Sequence, residues 1–317
     1  MIIAGIDLGA TKIAFALFTK GGEIIFQEKI FLNGASGKIA GELLTIVAKV
    51  LIKKAGELGE QVESIGLSIP GIVYKNTGTV WVPNIAGWED FPVVEQIKKG
   101  LGTKNSSVYV KIESDRVCHL LGEHWVGKAK GVDNSIFITV GTGIGAGIMT
   151  NGRIIRGVND ISGAIGWMAL TAPYENKYDE RGCFETHASG YGLVKMVKEL
   201  IASGIPSKYL NKERLSGEDI FGAYSMRDPV AVEVIKNAIQ YWGMASANLV
   251  SLLNPEMIIF GGGIFGPAIK FIPNIYEEAK KWAQPISIQN VKFTDSQLGV
   301  DTGLIGAGYL ALNNDYK

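Results

Sequence analysis

The chain has 317 residues, 31 basic against 31 acidic, with 47% hydrophobic; at roughly 150 residues per domain this predicts two domains with substantial cores. Zero net charge argues against a general nucleic-acid binder. No apolar run approaches the roughly 18 residues of a membrane span, and Met1 leads into an apolar segment without the basic start of a signal peptide. Two cysteines, Cys118 and Cys183, are too few for a disulfide framework, so a reducing, cytoplasmic setting is expected. The 41 glycines are unusually many and lie in short runs, the pattern of backbone brought close to something else.

The N-terminus reads as three strands, Ile2–Leu8, Lys12–Phe18 and Glu23–Phe31, punctuated at Gly9–Thr11 and Lys20–Gly22. Apolar residues at helical spacing predict a helix over Ile39–Leu58. Val62–Ile69 is a buried strand stopped by Pro70-Gly71, Val93–Leu101 a short helix, Ser107–Ile112 a strand and Asp115–Val126 a helix. A second cycle opens with strand Ser135–Val140, Gly turn Gly141–Gly145, strand Ala146–Thr150 and a hairpin signal at Asn151-Gly152. Asp228 as N-cap and Pro229 at the first helical position start a helix running to about Leu253. Strand Met257–Phe260 enters Gly261-Gly262-Gly263, and a last helix covers roughly Gly303–Leu312. Alternating strands and helices predict an α/β protein with partly parallel sheets. Ile6–Thr11 lies over Ile138–Gly143 as a faint repeat, which suggests two related domains with a boundary near residue 113.

Three Gly turns carry the candidate chemistry. In Asp7-Leu8-Gly9-Ala10-Thr11-Lys12, a carboxylate ends a buried strand and a turn offers amides, a hydroxyl and an ammonium to phosphate oxygens. Asp7 is suited to Mg²⁺, which takes carboxylate oxygens and keeps several waters; an ordinary hairpin is the alternative. Gly141-Thr142-Gly143-Ile144-Gly145-Ala146-Gly147 weakens the strand it follows, a cost that close backbone approach to a ligand explains, with a β-bulge as the alternative. Gly261-Gly262-Gly263 offers flat peptide surfaces for a nucleobase, or a plain strand-to-helix turn. None is a Walker A loop or a dinucleotide fingerprint.

In order along the chain, these turns join Pro70-Gly71, Pro83-Asn84 with Gly87-Trp88, Asn151-Gly152 and Gly182-Cys183-Phe184-Glu185. Together they resemble the ROK family (repressor, open reading frame, kinase) of the sugar kinase/Hsp70/actin superfamily, from residue 2 to about 312. The resemblance implies two actin-like (ribonuclease H-like) domains around a central cleft. They are an N-terminal one over 1–113, joined by the C-terminal helix at about 302–317, and a larger one over 114–301. It implies an ATP-dependent phosphotransferase acting on a hydroxyl of a sugar or sugar-like polyol, with ATP and Mg²⁺ held by Asp7, Gly9, Thr11, Lys12, Gly141, Thr142, Gly143, Gly145 and Gly261–Gly263. It further implies a homodimer. Asp115 takes the place of the family's general base; helix N-capping is its ordinary alternative. Gly71, Asn84, Ser114, Trp167 and Glu185 fall in the sugar-binding segments.

The departures cluster there. The family's Glu-x-Gly-His is Ala164-Ile165-Gly166-Trp167 here, and the Asn of its Asn-Asp pair is Ser114. Its cysteine-rich zinc stretch appears as Asn176, Tyr178, Asp179, Gly182 and Cys183, too few ligands for a tetrahedral site, so no zinc is expected even with His187 nearby. Losing the Glu and His contacts would cost a glucose-like ligand about 3–6 kcal/mol, so altered specificity is expected, with Trp167 offering an aromatic face. A DNA-binding repressor is disfavoured. A catalytically silent sugar-binding regulator is the alternative to a kinase, and an ATPase acting on a non-sugar is a further one.

Overall fold

The computed structural model describes residues 2–313; Met1 and the 314–317 end of the expected last helix lie outside the described residues. The chain divides into two compact units. Unit 1 comprises the residues up to Gly131, Arg153–Ser162 and those from Gln297 on; unit 2 comprises Val132–Gly152 and Gly163–Ser296.

In unit 1, β1 (Ile2–Leu8), β2 (Lys12–Phe18) and β3 (Ile24–Phe31) form an antiparallel meander. After α1 (Gly37–Glu57), β4 (Val62–Ile69) joins parallel to β1. A small hairpin, β5 (Ile72–Tyr74) and β6 (Thr79–Trp81), and α2 (Val93–Leu101) lead to β7 (Tyr109–Ser114), parallel to β4. The sheet order is β3-β2-β1-β4-β7. One face buries Ile6, Leu8, Ile13, Phe15 and Leu17 against Leu44, Val47 and Leu51 of α1, each such side chain stabilising by about 1.5–3 kcal/mol. The helix α3 (Asp115–Val126) follows β7 without a loop. The segment opening with β10 (Arg153–Ile154) also belongs to this unit.

In unit 2, β8 (Ser135–Val140) pairs antiparallel with β9 (Ile144–Thr150) and parallel with β11 (Met257–Gly261), which pairs parallel with β12 (Lys292–Asp295). The order β9-β8-β11-β12 repeats β2-β1-β4-β7, so the sequence repeat is a repeat of topology. Helices α4 (Cys183–Ala188), α5 (Gly190–Ala202), α6 (Gly217–Ser225), α7 (Pro229–Leu253), α8 (Ile272–Lys280) and α9 (Pro285–Asn290) complete the unit. Asp228 caps α7 through Oδ1, which accepts from the amides of Val230 (3.0 Å) and Ala231 (3.3 Å); left-handed Asn254 before Pro255 ends it.

The last helix, α10 (Thr302–Leu312), returns to unit 1 and buries Leu304, Ile305 and Ala311 with Phe18 and Trp125. Its approach needs small residues. A Cβ on Gly66 of β4 would overlap the Ala307 carbonyl, and one on Gly306 would overlap that of Cys118 in α3. Because α10 grips α3, the division falls near residue 131, whereas the sequence reading places it near 113.

Candidate active site

The parallel register of unit 1 places Asp7 beside Ser68 and Ser68 beside Glu113 at the carboxyl ends of three adjacent strands. One strand further, Ile69 pairs with Ser114, and the chain turns at once into α3 with Asp115 as its first residue. Carboxyl ends of parallel strands are where open α/β sheets bind ligands. Burial pushes the Asp7 carboxyl up, and the charge of Asp115 adds to this. The Ser68 hydroxyl, the His119 imidazole and Lys12 pull the other way. Asp7 and Asp115 are thus close enough to share a field, and a Cβ on Gly303 of α10 would crowd Asp7 Oδ1 at 2.9 Å. Carboxylates paired at a strand edge fit a magnesium ion that keeps its waters. Gly9 donates to the Lys12 carbonyl (2.8 Å), closing the turn that leaves the side chains of Thr11 and Lys12 exposed.

Sequence reasoning missed the cations of this edge. Glu113 is buried; its Oε1 accepts from the Ser114 amide (2.9 Å). Its Oε2 takes Arg156 Nη2 (2.9 Å) and Nε (3.2 Å) and Lys75 Nζ (2.6 Å). Arg156 is 43 residues away, so no local pattern signals the pair. Gly71 (φ +114) lies in the turn between β4 and β5, where a Cβ would come 2.2 Å from the Trp81 carbonyl oxygen. Exposed Asn84 sits in the loop fixed by a bond from Trp88 Nε1 to the Gly37 carbonyl (2.8 Å).

In unit 2, the carboxyl ends of β8 and β11 lie side by side, Thr139 paired with Gly261. Their Gly turns meet: Gly262 (φ +87) passes so close to Val140 that a Cβ would come 2.5 Å from its carbonyl oxygen. Gly190 donates to the Gly141 carbonyl (2.8 Å), adding the start of α5. Gly141, Thr142 and Gly263 line a cavity of about 620 Å³ with Tyr191, Ser216 and Ile264. That volume lies within the ~300–1,000 Å³ of small-molecule sites, and turns, helix starts and apolar walls together suit a nucleotide. Gly261 does not line it; the Phe137 ring fills the space its side chain would need. Gly145 pairs with Thr139 within the β8–β9 ladder.

Glu185 on α4 reaches the second Gly turn: its Oε2 accepts from the Ile144 amide at 2.7 Å, while Oε1 lies 3.4 Å from Arg181 Nη1. A Cβ on Gly166 would stand 3.0 Å from that of Glu185, so the Ala164–Trp167 turn packs on α4 and brings Trp167 near Glu185. The Trp167 side chain is 58% exposed, open to a ligand. Where the resemblance implies zinc ligands, the Tyr178 hydroxyl donates to Glu175 Oε1 (3.0 Å) and lies 2.9 Å from His187 Nε2. His187 also stacks on Tyr241 (4.3 Å). Desolvation, helped by Lys177, pushes His187 down to about 4, while burial and Glu175 push the Tyr178 hydroxyl up. Among the described residues no three His, Cys, Asp or Glu side chains converge to hold a metal ion.

Duplicated sheets with Gly turns at matching strand ends define an α/β protein of the actin-like class. The ROK family model matches residues 3–314, and the chain belongs to the ROK family. It is 32% identical to a glucokinase of Halalkalibacterium halodurans, over 96% of this chain and 93% of that one. It is 28% identical to the xylose repressor of Caldicellulosiruptor bescii, over 93% of this chain and 74% of the repressor. A crystal structure of a ROK glucokinase from Streptomyces griseus with glucose and AMPPNP superposes with a TM-score of 0.78 at 26% identity, covering 98% of this chain and 99% of that one.

Proposed function

We propose that this chain is an ATP-dependent kinase of a sugar or sugar-like polyol, with Asp115 as general base. The observation that carries the reading is the register of unit 1, which collects Asp7, Ser68, Glu113 and Asp115 at one sheet edge. Unit 2 supplies the nucleotide cradle at Gly141, Thr142 and Gly263. Asp115 accepts the proton of the hydroxyl as its oxygen attacks phosphorus, a contribution of about 10²–10⁴-fold. Its Oδ1 accepts from the Arg116 amide (2.7 Å), which helps to hold the carboxylate in place. Asp7, with waters, would hold Mg²⁺; when bound, that ion neutralises charge on the phosphates. Exposed Trp167 in place of a polar sugar contact supports a substrate with an apolar face or substituent at that end.

A coupled ADP-release assay across hexoses, amino sugars, N-acetylated sugars and inositols tests this. Turnover of one class, reduced at least ~10²-fold in Asp115→Ala, is expected. The repressor relative favours one other reading, a sugar-binding regulator. Sugar binding by calorimetry, without ATP turnover and without an effect of Asp115→Ala, would establish that reading and end the first.

A further inference from the structure

Arg116 follows Asp115 directly in the first turn of α3. Its Nε and Nη2 are buried, and neither has a hydrogen-bond partner among the described residues. Among the described residues, neither adjacent carboxylate bonds its guanidinium. Glu113 takes Arg156, Lys75 and the Ser114 amide, and Asp115 Oδ1 takes the backbone amide of Arg116 itself. Arg181 of unit 2 also has a buried unpartnered Nε, yet its guanidinium stacks on Tyr191 at 4.4 Å and reaches Glu185. Arg116 has neither outlet. Burial lowers its affinity for a proton and the charges of Asp115 and Glu113 offset this only in part, yet a guanidinium stays cationic in proteins.

A buried cation with idle donors is costly in the free protein, and an arriving oxyanion removes that cost. The planar fork of a guanidinium matches two oxygens of a phosphoryl group or a carboxylate. We propose that Arg116 is an oxyanion ligand that holds non-bridging oxygens of the phosphoryl group as it passes to the hydroxyl activated by Asp115. This rests on the kinase reading above. An acidic substrate would bring the same chemistry, but only with some substrates, whereas a phosphoryl group reaches the hydroxyl beside Asp115 in every turnover. In that step the substrate oxygen forms its bond to phosphorus, and the bond from phosphorus to the bridging oxygen of ADP breaks. The electron pair leaves with ADP, the hydroxyl proton goes to Asp115, and Arg116 donates hydrogen bonds without losing a proton.

The test is steady-state kinetics of Arg116→Ala and Arg116→Lys on a neutral sugar that the wild type phosphorylates, with thermal unfolding as a check on folding. Arg116→Ala should lower kcat by about 10²–10³-fold, the loss typical of one oxyanion donor, with the KM of the neutral sugar within about threefold. Added guanidinium ion should recover part of the kcat of Arg116→Ala, and Arg116→Lys should be intermediate; a merely structural role predicts neither. An active wild type whose kcat on neutral sugars survives Arg116→Ala overturns the proposal. So does a loss confined to carboxylated or phosphorylated sugars, which would assign Arg116 to the substrate's own anion. A wild type that phosphorylates no sugar ends the kinase reading and this proposal together.

Discussion

The contact between Glu185 and the second Gly turn makes a prediction that can be worked from distances. A Cβ on Gly143 would stand 2.7 Å from Glu185 Oε2 and 3.2 Å from its Cδ, whereas ordinary carbon contacts need about 3.5 Å or more. The backbone at Gly143 is not in the left-handed region, so alanine is excluded there only by that carboxylate. To admit a methyl group the carboxylate must retreat by roughly half an ångström or more, which breaks its 2.7 Å bond from the Ile144 amide. A hydrogen bond to a charged acceptor is worth about 1.5–3 kcal/mol, so Gly143→Ala should cost about 2 kcal/mol. Glu185→Ala removes the same bond and should also cost about 2 kcal/mol; its long, partly exposed pairing with Arg181 (3.4 Å) adds little. In the double variant the methyl group meets empty space, and the total should stay near 2 rather than 4 kcal/mol. That is a coupling of about 2 kcal/mol between residues 42 apart in sequence. Urea unfolding followed by tryptophan fluorescence supplies the four free energies, and exchange of the Ile144 amide should quicken in all three variants. Additivity to within about 0.5 kcal/mol would refute the reasoning.

Two further predictions concern stability. His187 titrates near 4 in the folded chain against an ordinary 6.5, so the unfolded chain binds the extra proton first and stability falls as pH drops from 6.5 toward 4. With the ring only partly buried, the full ~3 kcal/mol of such a shift is discounted to about 1 kcal/mol; His187→Gln should lose that part of the slope in pH-dependent urea midpoints, and an unchanged slope would count against a neutral, desolvated His187. Burial raises Asp228, but Ser207 and the amides of Ala231, Lys208 and Tyr209 outweigh it and hold the carboxyl low. Its stabilisation is therefore present above the ordinary carboxyl range and lost as pH falls below it. Asp228→Ala should cost about 2 kcal/mol near neutral pH, most of it the lost α7 cap, and a loss below about 0.5 kcal/mol in thermal unfolding would contradict that role.

Much of the fold is legible in the sequence because strand periodicity, glycine punctuation and the Asp228-Pro229 cap are local signals. Strand β7 shows the limit. Composition ends it at Ile112, while pairing with β4 carries it on to Ser114, and that extension makes Glu113 a neighbour of Ser68. Register is a property of two distant segments, so the alignment of Asp7 with Ser68 and Glu113 could not be read from either. The same holds for Arg156 on Glu113 and Glu185 on Ile144, which join residues about 40 apart. Glycine misleads in another way. An excess of glycine reads as ligand contact, yet Gly66 and Gly306 serve the passage of α10, and Gly261 makes room for Phe137. Gly141 and Gly263, in turns at strand ends, do open onto a cavity, together with Gly190 and Gly217 at helix starts.

The return of α10 sets an order of assembly during synthesis. Leu304, Ile305 and Ala311 belong to the core around Phe18 and Trp125, yet the ribosome makes them after every residue of unit 2. Until then the nascent unit 1 carries an open groove where the Gly66 and Cys118 backbones await a helix. Unit 2, whose longer stretch is continuous from Gly163 to Ser296, is free to settle first. The edge bearing Asp7 and Asp115 is then finished last; on the proposed kinase reading, a nascent chain stalled before residue 302 should bind nucleotide before it gains any power to transfer phosphate.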